Sequence, residues 1–185
     1  FDGKKQEGEV YTETDLPNPL NWYAETKFQG EKAVEDSGAD YVILRIAYPY
    51  RARFDVKKDF FREISDRLKE GLEVKAVIDH IFCPTFIDDM AEAFDVVIKN
   101  DAMGIYHAVG SEALTPYEAS VKIAEVFGLP VDLISKTNRK EFFRDRALRP
   151  FNLTLGNDKI AKLGVRMRGF EEGLITIRRQ LEFPG

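Results

Sequence analysis

The sequence has little of what disulfide frameworks and metal sites require. Among its 185 residues are one cysteine, Cys83, and two histidines, His80 and His107. A single cysteine excludes an internal disulfide bond, and two histidines far apart in the sequence do not have metal-ligand spacing. We therefore expect a reducing compartment, the cytoplasm, and no bound metal.

Long apolar runs are also absent. No stretch approaches the roughly 20 apolar residues that span a bilayer, and no charged-then-apolar leader is visible. The formal net charge of −5 disfavours a dedicated nucleic-acid binder, because such binding rests largely on neutralising phosphates. We therefore expect neither a membrane nor a nucleic acid among the partners. With 44% hydrophobic and 32% charged residues, the composition is that of an ordinary globular protein.

One helical segment carries a tyrosine and a lysine four residues apart. Asn18 is placed to cap this helix, Pro19 to occupy its first turn, and Gly38 to end it. The spacing puts Tyr23 and Lys27 on one face of the helix. An ammonium group near a phenol lowers the phenol's pKa from its ordinary value of about 10. Such a phenol can protonate a developing alkoxide, as carbonyl reduction requires.

The spacing alone also fits a solvent-facing amphipathic pair, but its surroundings resemble a known family. The resemblance is carried, in chain order, by Phe1-Asp2-Gly3, Tyr11-Thr12-Glu13, Asp15, Pro19, Tyr23-x-x-x-Lys27 and Gly30-Glu31. These segments resemble the extended short-chain dehydrogenase/reductases that act on nucleotide sugars, within them the dTDP-4-dehydrorhamnose reductase family. The resemblance implies that Tyr23 is the general acid and also contacts the cofactor, and that Lys27 binds the nicotinamide ribose and tunes Tyr23.

A short, nearly continuous apolar run follows the helix, from Tyr41 to Ala47. Such a run is typical of a strand buried on both faces of a parallel sheet. Open α/β sheets bind ligands at the carboxyl ends of their strands. The resemblance implies that Ala47 and Tyr48 contact the cofactor there and that Tyr48 also contacts the sugar. Arg51-Ala52-Arg53 departs from the glycine common in relatives, so a plain surface turn is the alternative interpretation of this loop.

Further along the chain, periodicity and turn signals predict alternating helices and strands. The predicted helices are 55–71, one that begins at Phe86 with Asp88 as its cap, one opened by the capping box Thr115–Glu118 and ended by Gly128, and 170–183. The predicted strands are 73–79, 104–110 and 131–134.

Two downstream segments carry the predicted substrate contacts. The segment 79–85 looks like the family's D-Q-x-G-x-P-T, which implies that Pro84 and Thr85 lie at the substrate. His80 and Cys83 depart from that pattern, and for both we expect a structural role. For His107, within the predicted strand 104–110, we expect a core or cleft-lining role rather than catalysis.

A basic run is the second such segment; its members are Arg139, Lys140, Arg144, Arg146 and Arg149. Guanidinium groups can bind the pyrophosphate of a nucleotide sugar. A surface helix whose cations pair with Glu141 and Asp145 is the alternative. Arg149-Pro150 resembles the family's R-P segment, so Arg149 is the predicted substrate contact.

Together these features predict an α/β fold, the carboxy-terminal part of a Rossmann-like parallel sheet with an interleaved smaller α/β substrate-binding lobe. Residues 1–50 are the expected remainder of the NAD(P)-binding domain, and 51–185 mainly the lobe, with 80–110 returning to the sheet. No glycine-rich dinucleotide motif occurs, and the family's catalytic serine or threonine is not found. We expect a longer protein, with on the order of a hundred further residues for that βαβαβ half.

The expected function is NADP- or NAD-dependent reduction of a nucleotide-linked 4-keto sugar, with a homodimer as one expected assembly. The 185 residues alone are expected to be inactive. Two alternatives stay open: a sugar-nucleotide epimerase or dehydratase of the same superfamily, and a non-catalytic regulatory or binding member. The epimerase or dehydratase would need a retained cofactor and further acid or base residues. The binding member would not need both Tyr23 and Lys27.

Overall fold

Short parallel strand pairs alternate with helices in the computed structural model, which describes residues 1–54 and 56–183. The helices are α1 (Trp22–Glu35), α2 (Phe60–Lys69), α3 (Asp89–Lys99), α4 (Pro116–Phe127), α5 (Arg139–Phe142), α6 (Asp158–Ala161) and α7 (Phe170–Glu182). The strands are β1 (Val42–Arg45), β2 (Val74–Val77), β3 (Ile81–Phe82), β4 (Gly104–His107), β5 (Ile134–Thr137) and β6 (Asn152–Leu153).

The three strand pairs in the described residues are all parallel. Strand β1 pairs with β4 from Val42 opposite Gly104, and β2 pairs with β5 from Val74 opposite Ile134. The shorter β3 pairs with β6. Parallel neighbours require a crossover connection, and helices of this chain lie between the paired strands. The α/β fold with parallel sheets, predicted from the sequence, is confirmed.

Separate groups of apolar side chains support the strand pairs. Helix α3 buries Ala93 and Val97 together with Tyr106 of β4. An aromatic cluster that includes Tyr50 and Phe170 joins the loop after β1 to α7. Packed apolar side chains therefore support the end of β1 from two sides.

Helix α1 begins three residues later than predicted, so Pro19 precedes the helix and does not lie in its first turn. Asn21, not Asn18, is the N-cap, and its Oδ1 accepts a hydrogen bond of 2.9 Å from the backbone N–H of Ala24. The Asn18 side chain instead donates to Asp2, which explains why it does not cap the helix. Gly38 follows the helix with φ +70°, in the left-handed region that favours glycine.

The start predicted for α2, at Asp55, lies outside the described residues. The described helix begins at Phe60. Its cap is Asp59, whose Oδ1 accepts from the backbone N–H of Arg62 at 3.0 Å.

Two further local predictions are wrong. Asp88 does not cap α3, because its own backbone is helical and its carboxylate accepts from Gln180 Nε2. Residues Val131–Leu133 form a 3₁₀ turn after Pro130, and the strand begins only at Ile134, where pairing with β2 starts. The capping box of Thr115 and Glu118 is confirmed, as is the left-handed end of α4 at Gly128.

Of the helices in the described ranges, none has the length and apolar character needed to cross a membrane.

Candidate active site

Tyr23 and Lys27 lie on an open face of α1. The Lys27 ammonium is 5.6 Å from the centre of the Tyr23 ring, and Tyr23 is 67% exposed. No residue of α1 is buried against the rest of the described chain. The phenol and the ammonium are therefore adjacent and open to a ligand.

A salt bridge on the same face of α1 ties the helix to the sheet. Glu31 follows Lys27 by one further helical turn, and its carboxylate accepts from Arg45 Nε at 2.8 Å and Nη2 at 2.6 Å. Both side chains are mostly buried, with 12% of Arg45 and 19% of Glu31 exposed. A bidentate pair has a fixed geometry, so it sets the rotation of α1 about its axis. That rotation also sets the direction of Lys27 and Tyr23, which lie one and two helical turns earlier on the same face.

The buried His107 extends this contact into the sheet. Its Nδ1 lies 3.1 Å from the carbonyl oxygen of Gly156, which can only accept, so Nδ1 carries the proton. In the neutral ring Nε2 then accepts from Arg45 Nη1, at 3.4 Å. The backbone N–H of His107 donates to Glu13. A structural role for His107, as the sequence predicted, agrees with these contacts.

The loop after β1 turns sharply at Tyr48, whose φ is +43°. Non-glycine residues avoid this region unless their surroundings hold them there. Thr85 fixes this conformation through two hydrogen bonds to Ala47, the residue before Tyr48. The Oγ1 of Thr85 accepts from the N–H of Ala47 at 3.2 Å, and the N–H of Thr85 donates to the Ala47 carbonyl at 2.9 Å. Thr85 also donates to the Ala108 carbonyl.

Pro84 and Thr85 therefore lie on the interior side of the loop after β1. Both are buried, and Thr85 has no exposed surface. The Pro84 carbonyl accepts from the N–H of Gly110 at 3.2 Å. The structure places the two residues where they support Ala47 and Tyr48, and a direct substrate contact by either remains a prediction.

The Tyr48 side chain reaches across to the segment that contains Arg149. Its hydroxyl lies 2.9 Å from His80 Nε2, and His80 Nδ1 lies 2.8 Å from the carbonyl oxygen of Pro150. Burial raises the pKa of the Tyr48 phenol, the Arg149 guanidinium opposes that shift, and Tyr23 adds to it. Tyr23 and Arg149 thus each lie within electrostatic reach of the Tyr48 phenol, in the loop that follows β1.

The same segment contacts the amino end of α1. Asn21 Nδ2 donates to the Leu148 carbonyl at 3.0 Å. Arg149 itself is exposed, with its guanidinium 5.5 Å from the centre of the Phe143 ring. The structure therefore brings Tyr23, Lys27, Ala47, Tyr48 and Arg149 to one edge of the molecule.

The rest of the basic run does not join this edge as a single helix. Helix α5 covers only Arg139–Phe142, and Arg139 pairs with Asp79 at 3.3 Å. In the described ranges no salt bridge connects the run to Glu141 or Asp145, the pairing that the surface-helix alternative required.

Comparison with known proteins shows the family to which this chain belongs. The family model described as the RmlD substrate binding domain matches residues 1–182. The chain belongs to the RmlD substrate-binding-domain family. The resemblance to dTDP-4-dehydrorhamnose reductases, stated from the sequence, is confirmed at that level.

Several known proteins are similar to most of this chain. The dTDP-4-dehydrorhamnose reductase from Bacillus anthracis, solved in complex with NADP, superposes with a TM-score of 0.88 at 25% identity and covers 97% of this chain and 62% of its own. "Methionine adenosyltransferase 2 subunit beta" of Rattus norvegicus is 30% identical over 91% of this chain and 51% of its own length. "Probable low-salt glycan biosynthesis reductase Agl14" of Haloferax volcanii is 28% identical over 96% and 59%. The chain thus spans about half the length of the curated relatives it matches.

The Glu31–Arg45 pair gives a testable prediction for this RmlD-family site. Glu31→Gln should destabilise the full-length protein by about 1–3 kcal/mol, because a mostly buried guanidinium loses its counter-charge. Turnover should also fall, since the rotation of α1 is no longer fixed. Urea unfolding and steady-state kinetics measure the two effects.

The matched control is Asp95→Asn. It removes the carboxylate of an exposed pair with Lys99, which should change stability by less than about 0.5 kcal/mol. Equal effects of the two substitutions would contradict a positioning role for Glu31.

The two buried histidines predict a loss of stability in mild acid. Burial is the main cause that lowers the pKa of both His80 and His107 below the ordinary 6.5. As the pH falls, the histidines of the unfolded chain bind protons before those of the folded chain. Their contribution to the free energy of unfolding is therefore complete above about pH 6.5 and is lost as the pH falls. Each histidine can contribute up to about 1.4 kcal/mol per pH unit to that slope. In urea unfolding between about pH 7 and pH 5, His80→Gln should show a shallower slope than the unaltered protein; identical slopes would contradict this account.

Proposed function

We propose that the protein reduces a nucleotide-linked 4-keto sugar with NADPH or NADH, as an oxidoreductase of the dTDP-4-dehydrorhamnose reductase type. One observation carries this proposal: the open Tyr23–Lys27 face of α1 lies at the same edge as Tyr48 and Arg149. RmlD-family membership and the NADP complex of the Bacillus anthracis reductase support it at the level of a nicotinamide-dependent enzyme. In this proposal residues 1–50 belong to the nucleotide-binding domain, and the protein works in the cytoplasm.

The residues at this edge fit a nicotinamide nucleotide. In the described part of the chain Lys27 has no carboxylate partner, so its ammonium can bind the hydroxyls of a ribose. Ala47 and Tyr48 form the turn at the carboxyl end of β1, where open α/β sheets bind nucleotides. When bound, the nicotinamide would supply the hydride that goes to the carbonyl carbon.

Tyr23 completes the reduction on the oxygen side. As the carbonyl carbon gains two electrons, its oxygen becomes an alkoxide and takes the proton from Tyr23 Oη. The product is an alcohol and the tyrosine is left as a phenolate. The Lys27 ammonium stabilises that phenolate until solvent returns the proton. Arg149, exposed at the same edge, binds the pyrophosphate of the substrate.

The test is a reductase assay on the full-length protein with NADPH and a dTDP-linked 4-keto-6-deoxy sugar. One NADPH should be oxidised for each sugar converted to the 4-hydroxy product. Conversion of the sugar without net loss of NADPH would instead indicate an epimerase or a dehydratase that retains its cofactor.

A second candidate is a binding subunit of a larger complex. The observation in its favour is the 30% identity, over 91% of this chain, to a protein named as subunit beta of methionine adenosyltransferase 2. A binding subunit would bind NADPH in titration calorimetry and leave it unconsumed with every 4-keto sugar. In that case the exposed face of α1 would serve nucleotide binding alone.

A further inference from the structure

His80 lies between the two loops that form the candidate site. It is 1% exposed, and its ring stacks on Phe82 with 15° between the ring planes. Its two nitrogens face Tyr48 on one side and Pro150 on the other. Both ring nitrogens therefore have partners inside the protein, and one partner belongs to the predicted site.

The partners of His80 determine where its proton sits. A carbonyl oxygen can only accept, so Nδ1 donates to Pro150 at 2.8 Å. In the neutral ring Nε2 then carries the lone pair and accepts from the Tyr48 hydroxyl at 2.9 Å. The hydroxyl proton of Tyr48 is used in this bond. What the Tyr48 oxygen can still offer to a ligand is its lone pairs.

We propose that His80 is a positioning residue that makes the Tyr48 hydroxyl a hydrogen-bond acceptor, so that the site selects a substrate with a donor, such as a sugar hydroxyl, at that point. This inference rests on the proposed function and goes beyond it, because it assigns a direction to one substrate contact. A substrate with only an acceptor at that point, such as a methyl ether or a carbonyl oxygen, would face lone pairs and bind more weakly.

The same imidazole fixes the spacing between two substrate contacts. Its bond to Pro150 fixes the residue next to Arg149, while its bond to Tyr48 fixes the loop after β1. The backbone of Tyr48 is fixed separately, through the two hydrogen bonds between Thr85 and Ala47. Loss of the His80 bonds should therefore release the Tyr48 side chain more than the backbone that carries it.

Protonation of His80 would reverse the contact. Nε2 would then donate to the Tyr48 oxygen, and the hydroxyl proton would turn toward the ligand. The charged groups around the ring are Asp79, which favours protonation, and Arg139 and Arg149, which disfavour it. Substrate affinity should therefore decline in mild acid in a way that depends on both His80 and Tyr48.

Imidazole nitrogen NMR on the full-length protein tests the tautomer directly, with no substrate present. The His80 signals are assigned by their loss in His80→Gln. We expect a protonated Nδ1 and an unprotonated Nε2 at about pH 7.5. Tyr48→Phe should shift the Nε2 resonance. A protonated Nε2 would overturn the proposal.

A double-mutant cycle tests the effect on binding, with calorimetric titration of a nucleotide sugar as the measurement. Tyr48→Phe and His80→Phe should each weaken binding about 3- to 10-fold, the range of one hydrogen bond, and the double variant should be no weaker than the worse single one. His80→Gln can still accept and donate, so it should stay within about 3-fold of the unaltered protein. Multiplied effects in the double variant would overturn the proposal.

The two proposals fail in different ways. Nucleotide-sugar binding with multiplied effects, or with the wrong tautomer, overturns the role of His80 and leaves the reductase intact. No nucleotide-sugar binding by the unaltered protein overturns the proposed function and, with it, the substrate contact assigned to Tyr48.

Discussion

Replacing Tyr23 with phenylalanine should lower the turnover of the full-length protein by about 10²- to 10⁴-fold, the range for loss of a positioned general acid. The structure places this phenol beside the Lys27 ammonium on the open face of α1. Phenylalanine keeps the ring and removes only the hydroxyl. Cofactor affinity should change little, because Lys27 and the loop after β1 are left in place. Steady-state kinetics with NADPH and a nucleotide-linked 4-keto sugar, and titration of NADPH, give the two numbers.

Tyr41→Phe is the matched control for this substitution. The Tyr41 hydroxyl donates to Glu35 at 3.2 Å, at the other end of α1. Its loss should leave turnover within about 2-fold, as for an exposed surface contact. Unchanged turnover in Tyr23→Phe would remove Tyr23 from the mechanism, whatever the control shows.

Gly110→Ala should destabilise the protein by about 3 kcal/mol, the upper part of the usual range for added atoms in packed structure. A methyl group at Gly110 would overlap the carbonyl oxygen of Pro84 and lie 3.0 Å from that of Arg168. Both neighbours are backbone, so neither can turn aside as a flexible side chain would. The displaced segment includes Thr85, which holds Ala47 and the strained Tyr48. Substrate affinity should therefore fall together with the free energy of unfolding in urea.

Gly169→Ala is the control for this change. There a methyl group would meet only the Glu112 and Ser111 side chains, at 3.5 Å or more, and the backbone φ of −68° suits any residue. We expect a loss below about 1 kcal/mol at this helix N-cap. A loss at Gly110 no larger than that at Gly169 would contradict the close backbone packing behind the site.

Much of the fold could be predicted because local signals and tertiary packing agree. The capping box at Thr115 and the glycine stop at Gly128 specify what the structure contains. The apolar run from Tyr41 to Ala47 correctly predicts the strand β1, but the prediction that this strand is buried on both faces is wrong. Its four residues are only half-buried, because β1 pairs with β4 alone in the described residues. Predictions failed where a side chain had a better partner at a distance. Asn18 binds Asp2 and Asp88 binds Gln180, so neither caps the helix that its local sequence indicates.

The candidate site could be predicted only in part, for a related reason. The Tyr23–Lys27 pair follows from helical spacing, which is a local property. The Glu31–Arg45 and Tyr48–His80 contacts join residues 14 and 32 positions apart, and no periodicity specifies such pairs. Two signals pointed toward them: a charged residue inside the apolar run of β1, and a histidine where relatives commonly have glutamine. For Thr85 the local sequence was a poor guide to the environment of the residue. Its motif predicts a substrate contact, whereas the fold buries the residue completely.

The most direct test of the proposed reductase is hydride transfer from NADPH that carries deuterium at the transferable position of its nicotinamide. The full-length protein is incubated with this cofactor and a dTDP-linked 4-keto-6-deoxy sugar, and the product is analysed by mass spectrometry. We predict one deuterium at the former carbonyl carbon of the sugar, with one NADPH consumed for each product, and loss of this product in Tyr23→Phe. A converted sugar without deuterium, or bound NADPH that is never oxidised, would contradict the account.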